Sequence, residues 1–138
     1  MKAPGKPHNE EKRLAALSLL NILDTPAEER FDRLTRLACK MLNTPVALVS
    51  LVADDRQWFK SSAGLEGVEE TPRDISFCGH TILQDGVFIV NDTLKDERFV
   101  DNPLVVHAPN IRFYAAFPLY AVTGERLGAF CVVDQQPR

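Results

Sequence analysis

Hydrophobic residues recur at helical spacing over the first part of the chain. Residues 9–23 carry Leu14, Leu17 and Leu20 three positions apart behind a polar start, and this spacing predicts an amphipathic helix. Leu19 adds apolar surface beside this stripe, more than one contact face needs. We therefore expect the helix to dock on the rest of the fold or to pair with its copy in a second subunit.

A second helix is predicted to begin at Pro26 and to end near Asn43. Thr25 is placed to cap it, and Glu28 is placed to complete a capping box. The apolar residues of this helix fall on one side and predict a single buried face. That face consists of Phe31, Leu34, Leu37, Met41 and Leu42.

From residue 46 the pattern changes to that of β-strands. Residues 46–52 are a nearly continuous β-branched and apolar run, which is typical of a strand buried on both faces. Residues 56–62 follow a two-aspartate turn and predict the partner strand of a hairpin, with Trp58 on one face and Phe59 and Ser61 on the other. Further strands are predicted at residues 87–91, 113–121 and 127–134.

Hairpin connections make the predicted sheet antiparallel. Together the elements predict an α+β fold with a sheet of five or six strands and helices packed on its faces. Residues 9–138 form a single domain in this interpretation, preceded by a disordered N-terminus at residues 1–8. Apart from the short strand at residues 87–91, the segment from residue 75 to 106 is the longest interruption between strands, and it includes a short helix that Ser76 caps. Because this segment must cover one face of the sheet, we expect a cavity or cleft beneath it.

Composition and charge narrow the classes of function. The 138 residues are 45% hydrophobic and 25% charged, as in ordinary globular domains, and the net charge of -3 gives no positive field for nucleic acid. No apolar run approaches the roughly 20 residues of a membrane span. Cys39, Cys78 and Cys131 have neither the spacing of a disulfide framework nor that of a metal site. We therefore expect a cytoplasmic protein with no nucleic acid or membrane partner.

Several linked motifs follow one another along the second half of the chain, within a similarity that covers roughly residues 10–138. They are Arg73-Asp74-Ile75-Ser76-Phe77-Cys78-Gly79-His80, Asp92-Thr93, Asp96-Glu97-Arg98-Phe99, Asn102-Pro103, Ile111-Arg112-Phe113-Tyr114-Ala115-Ala116-Phe117-Pro118-Leu119, Leu127-Gly128 and Cys131-Val132-Val133-Asp134. In this order they resemble the GAF domains of bacterial signalling proteins such as diguanylate cyclases and histidine kinases. The resemblance implies a GAF/PAS-like antiparallel sheet.

The resemblance also implies a role and partners. Such GAF domains are sensory or regulatory inputs that bind a small ligand or relay a signal, and they leave catalysis to an output domain. We expect an unknown small molecule, a homodimer, and an output domain C-terminal to this chain in the full-length protein. Covalent bilin is not expected, because bilin-carrying members attach it in a region that here spans residues 102–111 and has no cysteine.

Seven residues of the middle segment and the closing strands are candidates for the ligand pocket. Their alternative role is an ordinary filled core, and the residues alone leave the two about equal. Cys78 and His80 stand two positions apart on a predicted helix, so we do not expect them to share a proton or a metal ion. The candidates are Phe77, Cys78, His80, Phe99, Phe113, Tyr114 and Phe130.

Two other functions stay open at this point. One is a redox enzyme of the free methionine sulfoxide reductase type, which resembles this chain at Cys78-Gly79 but carries its reactive cysteine in a segment that here contains His107. The other is a dimerisation module with a filled core and no ligand. A cavity under the middle segment favours the sensor, whereas a solid core favours the dimerisation module.

Overall fold

An antiparallel sheet of six strands forms the centre of the computed structural model, which describes residues 1–138. The strands are β1 (Val46–Val52), β2 (Arg56–Ala63), β3 (Glu70–Pro72), β4 (Phe88–Val90), β5 (Phe113–Tyr120) and β6 (Arg126–Asp134). Their order across the sheet is β3-β2-β1-β6-β5-β4. The predicted α+β class and antiparallel sheet are confirmed, and β3 is a short edge strand that the sequence pattern missed.

Four helices cover the two faces of this sheet. They are α1 (Glu10–Leu19), α2 (Glu29–Leu42), α3 (Phe77–Thr81) and α4 (Pro103–Val106). The first two pack on one face, while the short middle helices and their loops cover the other. None of the helices is long and apolar enough to cross a membrane, and the longest has 14 residues.

Helix α1 docks on the sheet, which was one of the two arrangements expected for it. Leu17 is 2% exposed and packs with Leu51, Trp58 and Leu127. The helix ends at Leu19, four residues earlier than predicted. Leu19 itself is 82% exposed, so its apolar surface has no partner within the chain.

Helix α2 differs from its prediction at its start and in its buried face. It begins at Glu29 rather than at Pro26, and Thr25 does not cap it because the Thr25 hydroxyl accepts a hydrogen bond from Lys60 Nζ at 2.8 Å. The predicted end is confirmed, since Asn43 adopts the left-handed conformation at the C-cap with φ 51°.

The predicted buried face of α2 is wrong. Thr35 is the buried residue of this helix, and its hydroxyl lies 2.9 Å from that of Ser61 on β2. Small side chains on this side let the helix lie close to the sheet, so the large apolar ones point outward. Phe31 is half-buried, and the exposed fractions are 46% for Leu34, 50% for Leu37, 74% for Met41 and 52% for Leu42.

The first eight residues, which we expected to be disordered, form neither helix nor strand. They lie along α3: the backbone N–H of Lys2 donates to the Arg98 carbonyl at 3.0 Å, and the Lys2 carbonyl lies 3.1 Å from His80 Nε2. Pro7 is buried.

A buried ion network joins α1 to the hairpin of β1 and β2. Arg13 and Arg73 are 0% and 3% exposed, and Glu10 binds both guanidinium groups. The same arginines donate to the carbonyls of Val52 at 2.6 Å and Ala53 at 3.0 Å. Partial burial acts to raise the pKa of Glu10, but the hydrogen bonds and charges of the two arginines outweigh it and lower the pKa to about 2.

Candidate ligand cavity

A cavity of about 190 Å³ lies between the sheet and the segment that carries α3 and α4. This confirms the cavity expected beneath that segment. Thirteen of its 16 lining residues are hydrophobic, and none is charged. The lining consists of Val46, Leu48, Gln57, Phe59, Leu65, Val68, Thr71, Phe77, Cys78, Leu104, Ala108, Pro109, Ile111, Tyr114, Cys131 and Val133.

Three of the seven candidate residues, Phe77, Cys78 and Tyr114, line the cavity. Phe99 does not reach it, but it is fully buried and its ring stacks on that of Phe77 with 4.2 Å between centroids. Phe99 therefore supports Phe77 on the side that faces away from the cavity.

The other candidates lie elsewhere, and the structure corrects their assignment. Phe113 packs with Ala47 and Val132 on the α2 side of the sheet, because neighbouring residues of a strand point to opposite faces. Phe130 pairs with Phe117 across β5 and β6, and neither lines the cavity.

His80 is also outside the cavity. Its ring stands edge-on to Phe99 at 4.9 Å between centroids, and burial lowers its pKa. A neutral imidazole can donate from Nε2 to the Lys2 carbonyl, which is 3.1 Å away. This bond engages the ring with the N-terminal segment rather than with Cys78, in agreement with the expectation that the two share no proton.

Two sets of hydrogen-bonded polar side chains lie at the cavity. Cys78 Sγ lies 3.1 Å from the Tyr114 hydroxyl, which lies 3.1 Å from Thr81 Oγ1. Near β2, the Ser50 hydroxyl donates to Gln57 Oε1 at 3.2 Å, and Gln57 Nε2 donates to Thr71. A bound molecule would thus meet mainly apolar side chains and a few uncharged hydrogen-bonding groups, among them Gln57, Thr71 and Tyr114.

The two thiols of the cavity influence each other. The hydrogen bond from Cys131 is the largest effect on Cys78 and lowers its pKa against the opposing effect of burial, and Ser50 and Tyr114 add to the lowering. The same hydrogen bond, together with burial, raises the pKa of Cys131. Burial and the two nearby thiols raise the pKa of Tyr114, so its hydroxyl stays protonated at neutral pH.

Sequence reasoning missed most of the lining, including Gln57, Leu104, Cys131 and Val133. Strand alternation could have identified two of them, because Cys131 and Val133 stand two residues apart on β6 and face the same side. Leu104 could not be identified in this way, since it lies in the one-turn helix α4.

Comparison with known proteins agrees with this fold. The profile of the GAF domain family matches residues 26–138. The chain belongs to the GAF domain family. The whole chain is also 44% identical to part of a cyclic di-GMP phosphodiesterase of Pseudomonas aeruginosa, and it spans 23% of the length of that protein.

Solved structures resemble this GAF domain in fold. The GAF domain of an Acinetobacter phosphoenolpyruvate-protein phosphotransferase has a TM-score of 0.63 and 15% identity, over 92% of this chain and 79% of that one. A type II free methionine-R-sulfoxide reductase of Thermoplasma acidophilum has a TM-score of 0.62 and 9% identity, over 78% of this chain and 74% of that one. At these identities the likeness concerns the fold alone.

Proposed function

We propose that this GAF domain is the sensory input of a bacterial signalling protein and binds a small, uncharged and mainly apolar molecule in its cavity. The single observation that carries this proposal is an apolar cavity of about 190 Å³ with no charged lining residue. Cavities near 150 Å³ with apolar walls take up molecules such as benzene. A one- or two-ring compound with one polar group therefore suits this site.

The lining argues against charged ligands. A phosphate or carboxylate would lose its hydration here without a cationic partner, which is strongly unfavourable. Cyclic di-GMP, on which the P. aeruginosa relative acts by its name, carries two phosphates and does not suit the cavity. Any turnover of such a nucleotide would belong to an output domain, which we place C-terminal to this domain in the full-length protein.

Strand β6 offers a route for the signal. Cys131 and Val133 line the cavity near the end of this strand. Beyond it, Arg138 donates to Asp134 Oδ2 at 2.7 Å and to the Leu42 carbonyl at the end of α2 at 2.8 Å. A ligand that displaces Val133 would shift this junction between β6 and α2, and with it any domain that follows.

Binding can be tested with indole as the probe and nitrate as a charged control. We expect a dissociation constant of about 0.1–1 mM for a ligand of this size. At a few millimolar, indole should then raise the thermal unfolding midpoint by about 3–6 °C, while nitrate leaves it unchanged. Equal shifts with both compounds, or no shift with indole, would contradict the proposal.

We further propose that the domain forms a homodimer through the outward face of α2. Leu34, Leu37 and Met41 form a stripe at helical spacing, and all three are exposed. Glu29 lies at the start of this helix, where it pairs with Arg36, and Lys40 lies near its end. An antiparallel pairing about a two-fold axis would place each glutamate near the lysine of the other copy, so the face is complementary to itself.

Two substitutions test the dimer. Leu37→Glu places a charge in the stripe and should weaken dimerisation at least about tenfold by sedimentation equilibrium, since an unpaired charge at a contact is costly. Val122→Glu is the control, because Val122 is fully exposed in the turn between β5 and β6. A wild-type domain that stays monomeric at high micromolar concentration would refute the homodimer and leave the ligand proposal intact.

We also propose that the protein is located in the cytoplasm. All three cysteines are free thiols, and Cys78 and Cys131 both line the cavity without being joined. Such a pair persists in a reducing compartment, which supports a cytoplasmic location.

A further inference from the structure

The polar side chains of the cavity lining differ in whether they have a hydrogen left to donate. Gln57 is 4% exposed and lines the cavity together with Thr71. Ser50 donates to Gln57 Oε1 at 3.2 Å, and Gln57 Nε2 donates to Thr71 Oγ1. Each hydroxyl carries one hydrogen and the amide carries two, so the O–H of Thr71 and the second N–H of Gln57 are left over. That second N–H is left over in either orientation of the amide.

The Tyr114 hydroxyl, in contrast, has no hydrogen left. Thr81 uses its hydroxyl hydrogen to donate to the Phe77 carbonyl at 3.3 Å. In the 3.1 Å contact with Thr81 the donor is therefore Tyr114, and in the 3.1 Å contact with Cys78 the donor is the thiol. The other lining thiol, Cys131, is a weak donor. The strong donors that are free for a ligand thus lie on β2 and β3.

We infer that Gln57 and Thr71 select the ligand by its hydrogen-bond acceptor, so that the cavity prefers a small uncharged ring compound with a carbonyl oxygen, such as a cyclic ketone. This preference rests on the proposed function, since it concerns the ligand of the same cavity. A carbonyl oxygen has two lone pairs and can accept both leftover hydrogens. A ligand without an acceptor leaves buried donors unpaired, and this lowers its affinity.

The sheet holds these donors in place. Gln57 on β2 and Thr71 on β3 stand opposite each other in the antiparallel ladder, so their side chains leave the sheet on the same side. Ser50 is fully buried and binds the amide from β1. Because the Gln57 amide is held by a hydrogen bond at each of its two polar atoms, a ligand does not have to order it upon binding.

Isothermal titration calorimetry with 1-indanone and indole tests the preference. These bicyclic compounds are similar in size, but the polar group of 1-indanone is an acceptor and that of indole is a donor. We expect 1-indanone to bind the wild-type domain at least about fivefold more tightly, as one additional neutral hydrogen bond would give. Equal affinities would overturn the preference and leave the cavity proposal standing. Absence of binding by both compounds would overturn both.

A double variant identifies the residues responsible. Gln57→Met combined with Thr71→Val removes the donors and nearly keeps the size of each side chain, so the preference should fall below about twofold while indole still binds. Val133→Ile is the matched control, because it changes the lining without touching the donors and should keep the preference. A preference that persists in the double variant would show that Gln57 and Thr71 do not select the ligand.

Infrared difference spectroscopy gives a readout that needs no variant. Hydrogen bonding lowers the stretching frequency of a carbonyl group, so 1-indanone bound to the wild-type domain should absorb at a lower frequency than 1-indanone in hexane. A bound carbonyl that absorbs at the hexane frequency would show that its oxygen meets no donor, and the preference for an acceptor would then be wrong.

Discussion

Replacing Glu10 with alanine should lower the free energy of unfolding by about 3–5 kcal/mol, because it leaves buried positive charge without its partner. Arg13 is 0% exposed and Arg73 is 3% exposed, and both bind this one carboxylate. The remaining contacts of the two guanidinium groups are to backbone carbonyls, which accept hydrogen bonds but carry no net charge. Urea unfolding followed by circular dichroism measures the change.

The neighbouring residue offers a matched control. Glu11 stands in the same helical turn and is exposed, so Glu11→Ala should change stability by no more than about 0.5 kcal/mol. Similar losses for both variants would show that the network does not hold α1 on the sheet.

The Glu10 carboxylate should also make the stability of the domain depend on pH. Its folded pKa of about 2 lies below the ordinary value of 4.5, so its contribution to stability is fully present above pH 4.5 and disappears as pH falls toward 2. The contribution amounts to about 2 kcal/mol after allowance for screening at the partly exposed carboxylate. Glu10→Gln should therefore show a weaker acid destabilisation than the wild type.

Enlarging Val133 to phenylalanine should abolish the stabilisation by indole. Val133 lines the cavity and is 4% exposed, so the larger phenylalanine ring can only point into the cavity. We expect the midpoint shift with indole to fall below about 1 °C, while the fold is kept because the ring fills existing space. Thermal unfolding with and without indole provides the measurement.

Val133→Ile is the matched control for this variant. It adds a single methyl group and leaves most of the cavity open, so indole should still stabilise it. An undiminished indole effect in Val133→Phe would place the binding site outside the cavity. Loss of the effect in both variants would point to a general disturbance of β6.

The fold was accessible from the sequence because its strands carry strong periodic signals. β1 is a seven-residue run that is buried throughout, and β5 and β6 are joined by a short turn, so their antiparallel pairing follows from the pattern. β3 was not accessible, because its three residues include Pro72 and carry no apolar alternation.

The outward face of α2 shows what hydrophobic periodicity alone cannot predict. A helix with one apolar stripe is normally assigned to the core, yet here Thr35 faces the sheet and Leu37 faces outward. An apolar stripe that packs within the chain and one that packs against another molecule have the same spacing. The close approach that Thr35 allows is visible only when its hydrogen bond to Ser61 is known.

A β-bulge made the predicted orientation of the β2 side chains wrong. The pairing of β1 and β2 shifts between Val49 and Ser50, so Phe59 lines the cavity while Ser61 bonds to α2 on the opposite face. Simple alternation had placed these two residues on the same side. The site also depends on α3 and α4, whose short lengths give no periodic signal.

The most direct test of the ligand site is a crystal structure of the domain soaked with indole. We expect density for one ring system inside the cavity, between Phe77, Leu104 and Val133, with its N–H group nearest Cys78 and Tyr114. An empty or solidly packed cavity, or indole bound only at the surface under conditions that raise the unfolding midpoint, would contradict it.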